Sequence, residues 1–133
     1  ELSIDIPDEP VYVNADILQL GRAINNIIVN TLTHNPEMTY GEIILSIKRG
    51  MAVLEISDNG VKIETEVAKH LFDPFVQGDY SRKSGKGTGL GLSITKKIVN
   101  MHNGKVVLIQ YQNREKSGKT KTFEVTLPVL YIK

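Results

Sequence analysis

Cysteine is absent from the chain, which excludes a disulfide framework and thiolate chemistry and suits a reducing compartment. A surplus of one charge sign is missing as well. The formal net charge is +1, so no overall field draws the molecule toward nucleic acid or a membrane surface. No apolar run approaches the ~18 residues that a membrane-spanning helix needs, and no signal peptide is recognisable. Histidine is scarce and poorly placed for metal: His34, His70 and His102 form no pair at ligand spacing. Neither a Ser-His-Asp arrangement nor a pair of opposed carboxylates suggests itself. Repeats, low-complexity tracts and an internal domain boundary are lacking too. What is left is a composition of 41% hydrophobic and 23% charged residues over 133 positions, which suffices for one compact globular core. The first residue is Glu1 rather than methionine, so the chain reads as a piece of something longer.

Periodicity supplies the elements. Ser3 to Ile6 and Val11 to Val13 are expected as short strands around the turn Pro7-Asp8-Glu9-Pro10. From Asp16 the spacing turns helical. At about 100° per residue, Ile17, Leu20, Ile24, Ile27, Ile28 and Leu32 share one broad apolar face, while Gln19, Asn26, Asn30 and His34 share another. Asn35-Pro36 should stop this helix, because a residue before proline is pushed out of the α region. Glu42 to Lys48 and Met51 to Ser57 predict a hairpin around Arg49-Gly50. A short helix is expected at Glu64 to Leu71, then a long aperiodic loop from Asp73 to Gly89; loops of that length are usually functional or disordered. A second long helix should cover Leu90 to Met101, with Ile94, Ile98 and Met101 as its buried stripe and Asn103-Gly104 as its stop. Val106 to Tyr111 and Thr122 to Leu127 alternate as strands around Gly118. Two hairpins argue for a largely antiparallel sheet with helices on one face.

Three segments could carry chemistry, and each has a plain reading beside it. Asn26 and Asn30 lie one helical turn apart, and their amide oxygens are hard ligands suited to Mg²⁺; they also fit solvated positions on an amphipathic helix. Asp58-Asn59-Gly60 at a strand end can accept a hydrogen bond from an exocyclic amine, with Gly60 admitting close approach of a flat ring; it also fits a simple turn. Gly85-Lys86-Gly87-Thr88-Gly89-Leu90-Gly91-Leu92 leads into a helix N-terminus, where backbone N–H groups and the helix dipole favour phosphate, with Arg82 and Lys83 nearby; a linker is the plain alternative. Its spacing fits neither a Walker-type phosphate loop nor a dinucleotide-binding fingerprint.

Taken in order, these segments resemble the boxes of the histidine kinase ATP-binding domain, in the superfamily shared with gyrase-type and chaperone ATPases and mismatch-repair proteins. Asn26 to Asn30 with His34-Asn35-Pro36 resembles the N box, and Asp58-Asn59-Gly60 the first glycine box. Phe72-Asp73-Pro74-Phe75 resembles the F box, and Gly87-Thr88-Gly89-Leu90-Gly91-Leu92 the second glycine box. Lys97-Ile98-Val99 and His102-Asn103-Gly104 resemble the family's final helix. The likeness runs from about Asp16 to Pro128, and four boxes in order are far more specific than any one.

The resemblance implies that residues 1–133 form one catalytic and ATP-binding domain, with the dimerisation and phosphoacceptor domain outside it. It implies an α/β (α+β) two-layer sandwich, a mixed, mostly antiparallel sheet packed on helices. Asp58 would bind the adenine amine, Asn30 would ligate Mg²⁺, and Asn26 would assist through the metal or its water. Asp73 to Gly87 would be the ATP lid, with Arg82 on the γ-phosphate, Lys83 and Lys86 near it, and Gly87, Gly89 and Gly91 at the phosphates. His34, Gly60, Lys62, Phe75, Thr88 and Leu90 complete the implied nucleotide set. In ATPase relatives a glutamate four residues before the metal-binding Asn activates water. Asn26 stands there, and an amide is no general base at neutral pH. The implied activity is therefore transfer of the γ-phosphate of Mg-ATP to a histidine, not hydrolysis. A serine-directed kinase of the anti-sigma type usually keeps that glutamate.

No histidine of the chain resembles the phosphorylated one, since His70 precedes Leu71 and His102 precedes Asn103. The isolated piece is not expected to phosphorylate itself. Its implied partners are its own helical phosphoacceptor domain in a homodimeric parent and a downstream response regulator, with no nucleic acid and no direct membrane contact. The implied location is cytoplasmic, within a parent that is membrane-anchored in many relatives. Three positions depart from the pattern: Lys62 replaces the second glycine of the first glycine box, Thr33 a frequent Lys or Arg, and Thr31 a usual Ala. Lys62 is expected at a dihedral favouring glycine, at ~1 kcal/mol, and a lost charge-assisted contact at Thr33 costs ~1.5–3 kcal/mol. They motivate the alternative of a degenerate, non-catalytic docking module with weak or no ATP affinity. Asp58→Ala is expected to abolish transfer with the fold intact.

Overall fold

The computed structural model describes residues 1–34, 40–74, 91–112 and 118–130. Its elements in chain order are β1 (Leu2–Asp5), α1 (Ile17–His34), β2 (Gly41–Lys48), β3 (Met51–Asp58), α2 (Thr65–Lys69), α3 (Gly91–Met101), β4 (Lys105–Gln110) and β5 (Lys121–Pro128). The strands form one sheet in the order β1-β2-β3-β5-β4. β1 runs parallel to β2 because α1 carries the chain back between them, and the other pairings are antiparallel. This is the expected mixed, mostly antiparallel sheet packed on helices.

Alternation sets which face is dry. The ladders align Ile4, Ile43, Ile56, Phe123 and Leu108 in one row across the sheet. Ile56 and Phe123 lie in the core with Ala23 and Ile27 of α1 and Leu92, Ile98 and Val99 of α3. Phe123 is fully buried and meets Phe72 edge to face, with centroids 6.3 Å apart. The Arg49-Gly50 turn has positive φ at both central residues, the form whose twist matches a two-residue hairpin.

Several expectations shift. Val11 to Val13 form no strand; Tyr12 accepts one backbone hydrogen bond from Leu130 N–H at 2.7 Å, which is a tether and not a ladder. α1 does not bury all the apolar residues assigned to its face, since Ile17 is 85% exposed and Leu32 is exposed, while Ala23 and Thr31 are buried. In α3 the buried stripe is Leu92, Thr95, Ile98 and Val99, and Met101 is 72% exposed. One contact explains both rotations. The single O–H of Thr95 is shared between the Ala23 and Gly91 carbonyls, at 3.1 and 3.0 Å, so the helices approach over small side chains that a count of large apolar residues overlooks.

The start of α1 and the end of α3 are both capped. Asp16 Oδ1 accepts from Gln19 N–H at 3.0 Å at the start of α1. His102 joins the two ends, accepting from Asp16 N–H at Nε2 (3.0 Å) and donating from Nδ1 to Ile98 O (2.7 Å). α3 closes with Asn103 at φ 61° and with Gly104 N–H on Val99 O and Asn103 N–H on Asn100 O, a Schellman pair. Gly104 is required for space: a Cβ there would strike the Thr126 carbonyl oxygen and come within 2.7 Å of Leu127 Cδ2. Gly104→Ala is therefore expected to destabilise the domain by about 1–3 kcal/mol in a urea melt. An unchanged midpoint would mean that β5 yields at no cost. Among the described residues no helix is long and apolar enough to cross a membrane.

Candidate functional site

One pleat beyond the apolar row, the same face turns polar. The register places Gly41, Asp58, Lys121 and Gln110 side by side on β2, β3, β5 and β4. Asp58 ends β3 and Lys121 opens β5, and both are fully buried. Lys121 Nζ donates to Asp58 Oδ1 at 2.8 Å, and Gly60 N–H donates to the same oxygen at 2.8 Å. Burial pushes the Lys121 ammonium below its usual pKa, while the hydrogen bond and charge of Asp58 push it back up. Asp58 Oδ2 is buried and has no hydrogen-bond partner among the described residues. An unmet buried acceptor costs about 1–3 kcal/mol, so Oδ2 is suited to receive an N–H from a ligand.

The loop after β3 is stitched down over this row. Tyr40 and Asn59 exchange hydrogen bonds, Tyr40 N–H to Asn59 Oδ1 at 3.1 Å and Asn59 N–H to Tyr40 O at 3.3 Å. The Thr120 hydroxyl donates to Gly60 O at 2.7 Å, and Lys121 Nζ to Val61 O at 2.6 Å. Gln110 grips Ile63 twice, accepting from its N–H at 2.8 Å and donating to its carbonyl at 3.0 Å. Lys62 between them is exposed. The strain expected there is not found, since the non-glycine residues with positive φ among those described are Arg49 and Asn103. The polar row anchors the loop through Val61 and Ile63, so position 62 needs no glycine conformation.

On the helical layer, Asn26 and Asn30 are half-buried on α1. Asn26 Nδ2 donates to the carbonyl of Gly91, the first residue of α3, at 3.1 Å. The segments that resemble the N box and the end of the second glycine box thus meet directly. With its amide nitrogen turned to Gly91, Asn26 directs its oxygen elsewhere. Thr31 is buried in α1 and Thr33 half-buried. Phe75, Arg82, Lys83, Lys86, Gly87, Thr88, Gly89, Leu90 and the side chain of His34 lie outside the described residues. Among the described residues no group of three or more His, Asp or Glu could hold a metal ion. The donors present are neutral amides, which fit an ion that keeps waters and shares phosphate oxygens, as Mg²⁺ does.

Sequence reading missed Lys121, Thr120 and Gln110. A signal existed for Lys121, because it alternates in phase with Phe123, Val125 and Leu127, and a charge at a core-facing position demands a buried partner. Finding that partner requires the β3–β5 register, which joins residues about sixty positions apart.

Comparison with known proteins adds the following. The sequence profile of the histidine kinase-, DNA gyrase B- and HSP90-like ATPases matches residues 15–130. The chain is 36% identical over 132 residues to the sensor histidine kinase TrcS of Mycobacterium tuberculosis, covering 95% of this chain and 25% of that protein. It is 40% identical over 99 residues to the sensor protein GtcS of Aneurinibacillus migulanus, covering 74% and 26%. It therefore spans about a quarter of the length of these curated relatives. Among solved structures, the mycobacterial sensor histidine kinase MprB superposes with TM-score 0.76 at 26% identity, over 98% of this chain and 84% of that one. The catalytic domain of histidine kinase ThkA superposes with TM-score 0.73 at 26% identity, over 96% and 79%.

Proposed function

Because the chain belongs to the histidine kinase-, DNA gyrase B- and HSP90-like ATPase family, as the ATP-binding domain of a histidine kinase, we propose that it binds Mg-ATP and presents the γ-phosphate to a histidine on a separate helical domain. The observation that carries this reading is the buried, unmet Oδ2 of Asp58 at the end of β3, an acceptor suited to the exocyclic amine of adenine.

In this reading Asn30 holds Mg²⁺ through its amide oxygen together with phosphate oxygens and water, and the ion neutralises phosphate charge. Gly91 opens α3, whose N-terminal backbone N–H groups and dipole favour the phosphates, and Asn26 ties that end to α1. Arg82, Lys83 and Lys86 supply positive charge, with Gly87, Thr88, Gly89 and Leu90 along the phosphates and His34, Gly60, Lys62 and Phe75 around the nucleotide. Asn26 cannot accept a proton from water as a glutamate would, so hydrolysis goes unassisted and the γ-phosphate is kept for a histidine nucleophile. The same reading places the domain in two-component signalling, within a dimeric parent, on its cytoplasmic side, and upstream of a response regulator.

A titration of the chain with Mg-ATP tests the proposal. The expected dissociation constant lies in about the micromolar to low-millimolar range and weakens when Mg²⁺ is chelated. Absence of binding would favour the non-catalytic docking module, for which neutral Thr33, half-buried on α1 where relatives often carry a cation, is the supporting feature.

A further inference from the structure

We propose that Lys121 is a positioning residue for base recognition: by holding Asp58 Oδ1 it leaves Oδ2 as the single acceptor offered to an exocyclic ring amine. The inference rests on the nucleotide-binding reading above.

Two protein donors, Lys121 Nζ and Gly60 N–H, converge on Oδ1, each at 2.8 Å, and among the described residues none reaches Oδ2. The ammonium is itself tied down, because it donates to Val61 O at 2.6 Å and its strand position is fixed by the ladder opposite Asp58. The carboxylate therefore cannot turn about its Cβ–Cγ bond without breaking a buried ion pair. A carboxylate free to turn would accommodate ligand donors through either oxygen and could swing away from a ligand carbonyl. One pinned through Oδ1 meets the ligand at one place. A ring amine satisfies Oδ2 there, whereas a ring carbonyl sets an acceptor against an acceptor. Lys121 thus converts a general acceptor into a selective one, and the ligand class it selects is the 6-amino purine over the 6-oxo purine.

Affinities of this chain for ATP and for inosine triphosphate, which share sugar and phosphates, isolate the effect. The wild-type chain is expected to prefer ATP by about 10- to 100-fold. In Lys121→Met the preference should fall to about threefold or less, while both nucleotides still bind through their phosphates. A merely structural Lys121 would shift both affinities together and leave their ratio unchanged, which overturns the inference but spares the nucleotide site. Wild-type binding of both nucleotides with equal affinity overturns it too. Binding of neither removes the nucleotide reading along with it. Should Lys121→Met fail to fold, a wild-type structure with a non-hydrolysable ATP analogue decides. The amine on Oδ2 with Nζ still on Oδ1 supports the inference, and Nζ displaced from Asp58 overturns it.

Discussion

Asp58→Ala is expected to lower the stability of the domain by about 3–5 kcal/mol in a urea or thermal melt, because it leaves the Lys121 ammonium buried without its counter-charge. Sequence reasoning alone expects this substitution to spare the fold; the ion pair reverses that expectation. Loss of the amine acceptor should also weaken ATP binding by about tenfold to a hundredfold. The two effects separate in the double variant Asp58→Ala/Lys121→Met. Removing both members of a buried pair in favour of apolar groups is often near neutral, so stability should return most of the way toward wild type. Nucleotide affinity should stay low. A double variant that regains ATP affinity along with stability would show that Asp58 acts only on the fold.

The second large effect is expected at Asn30. With the histidine-bearing helical domain supplied in trans, Asn30→Ala should lower phosphotransfer by about a hundredfold or more, equivalent to ~2.7 kcal/mol in the barrier. The amide is half-buried on α1, so the melting midpoint should move far less than for Asp58→Ala. The signature of a metal ligand is a partial return of activity at raised Mg²⁺. Near-wild-type transfer at every Mg²⁺ concentration would remove Asn30 from the site.

Local signals were the ones legible in the sequence. The Arg49-Gly50 hairpin and the Asn103-Gly104 stop each depend on residues within a few positions, and both stand where periodicity and turn chemistry put them. Asn26 and Asn30 could be assigned to one helix for the same reason. What could not be read depends on contacts between distant segments. The true faces of α1 and α3 follow from the Thr95–Ala23 contact. Val11 to Val13 have strand-like composition, but among the described residues they join no ladder and are held by Leu130 N–H on Tyr12 O. Strand-end chemistry picks out Asp58 as an acceptor, but periodicity starts the last strand at Thr122 and so omits Lys121, whose ammonium donates to that acceptor.

The Asp58–Lys121 contact also bears on how the strands find their alignment. A slip of β5 by two residues along β3 keeps Phe123, Val125 and Leu127 on the inward face, so the apolar pattern alone tolerates it. Such a slip would set the Lys121 ammonium opposite Ile56, a lone charge against hydrocarbon. The buried Asp58 carboxylate therefore doubles as a registration mark for the central strands, and a variant lacking both charges should be the one most prone to off-by-two sheets while it folds.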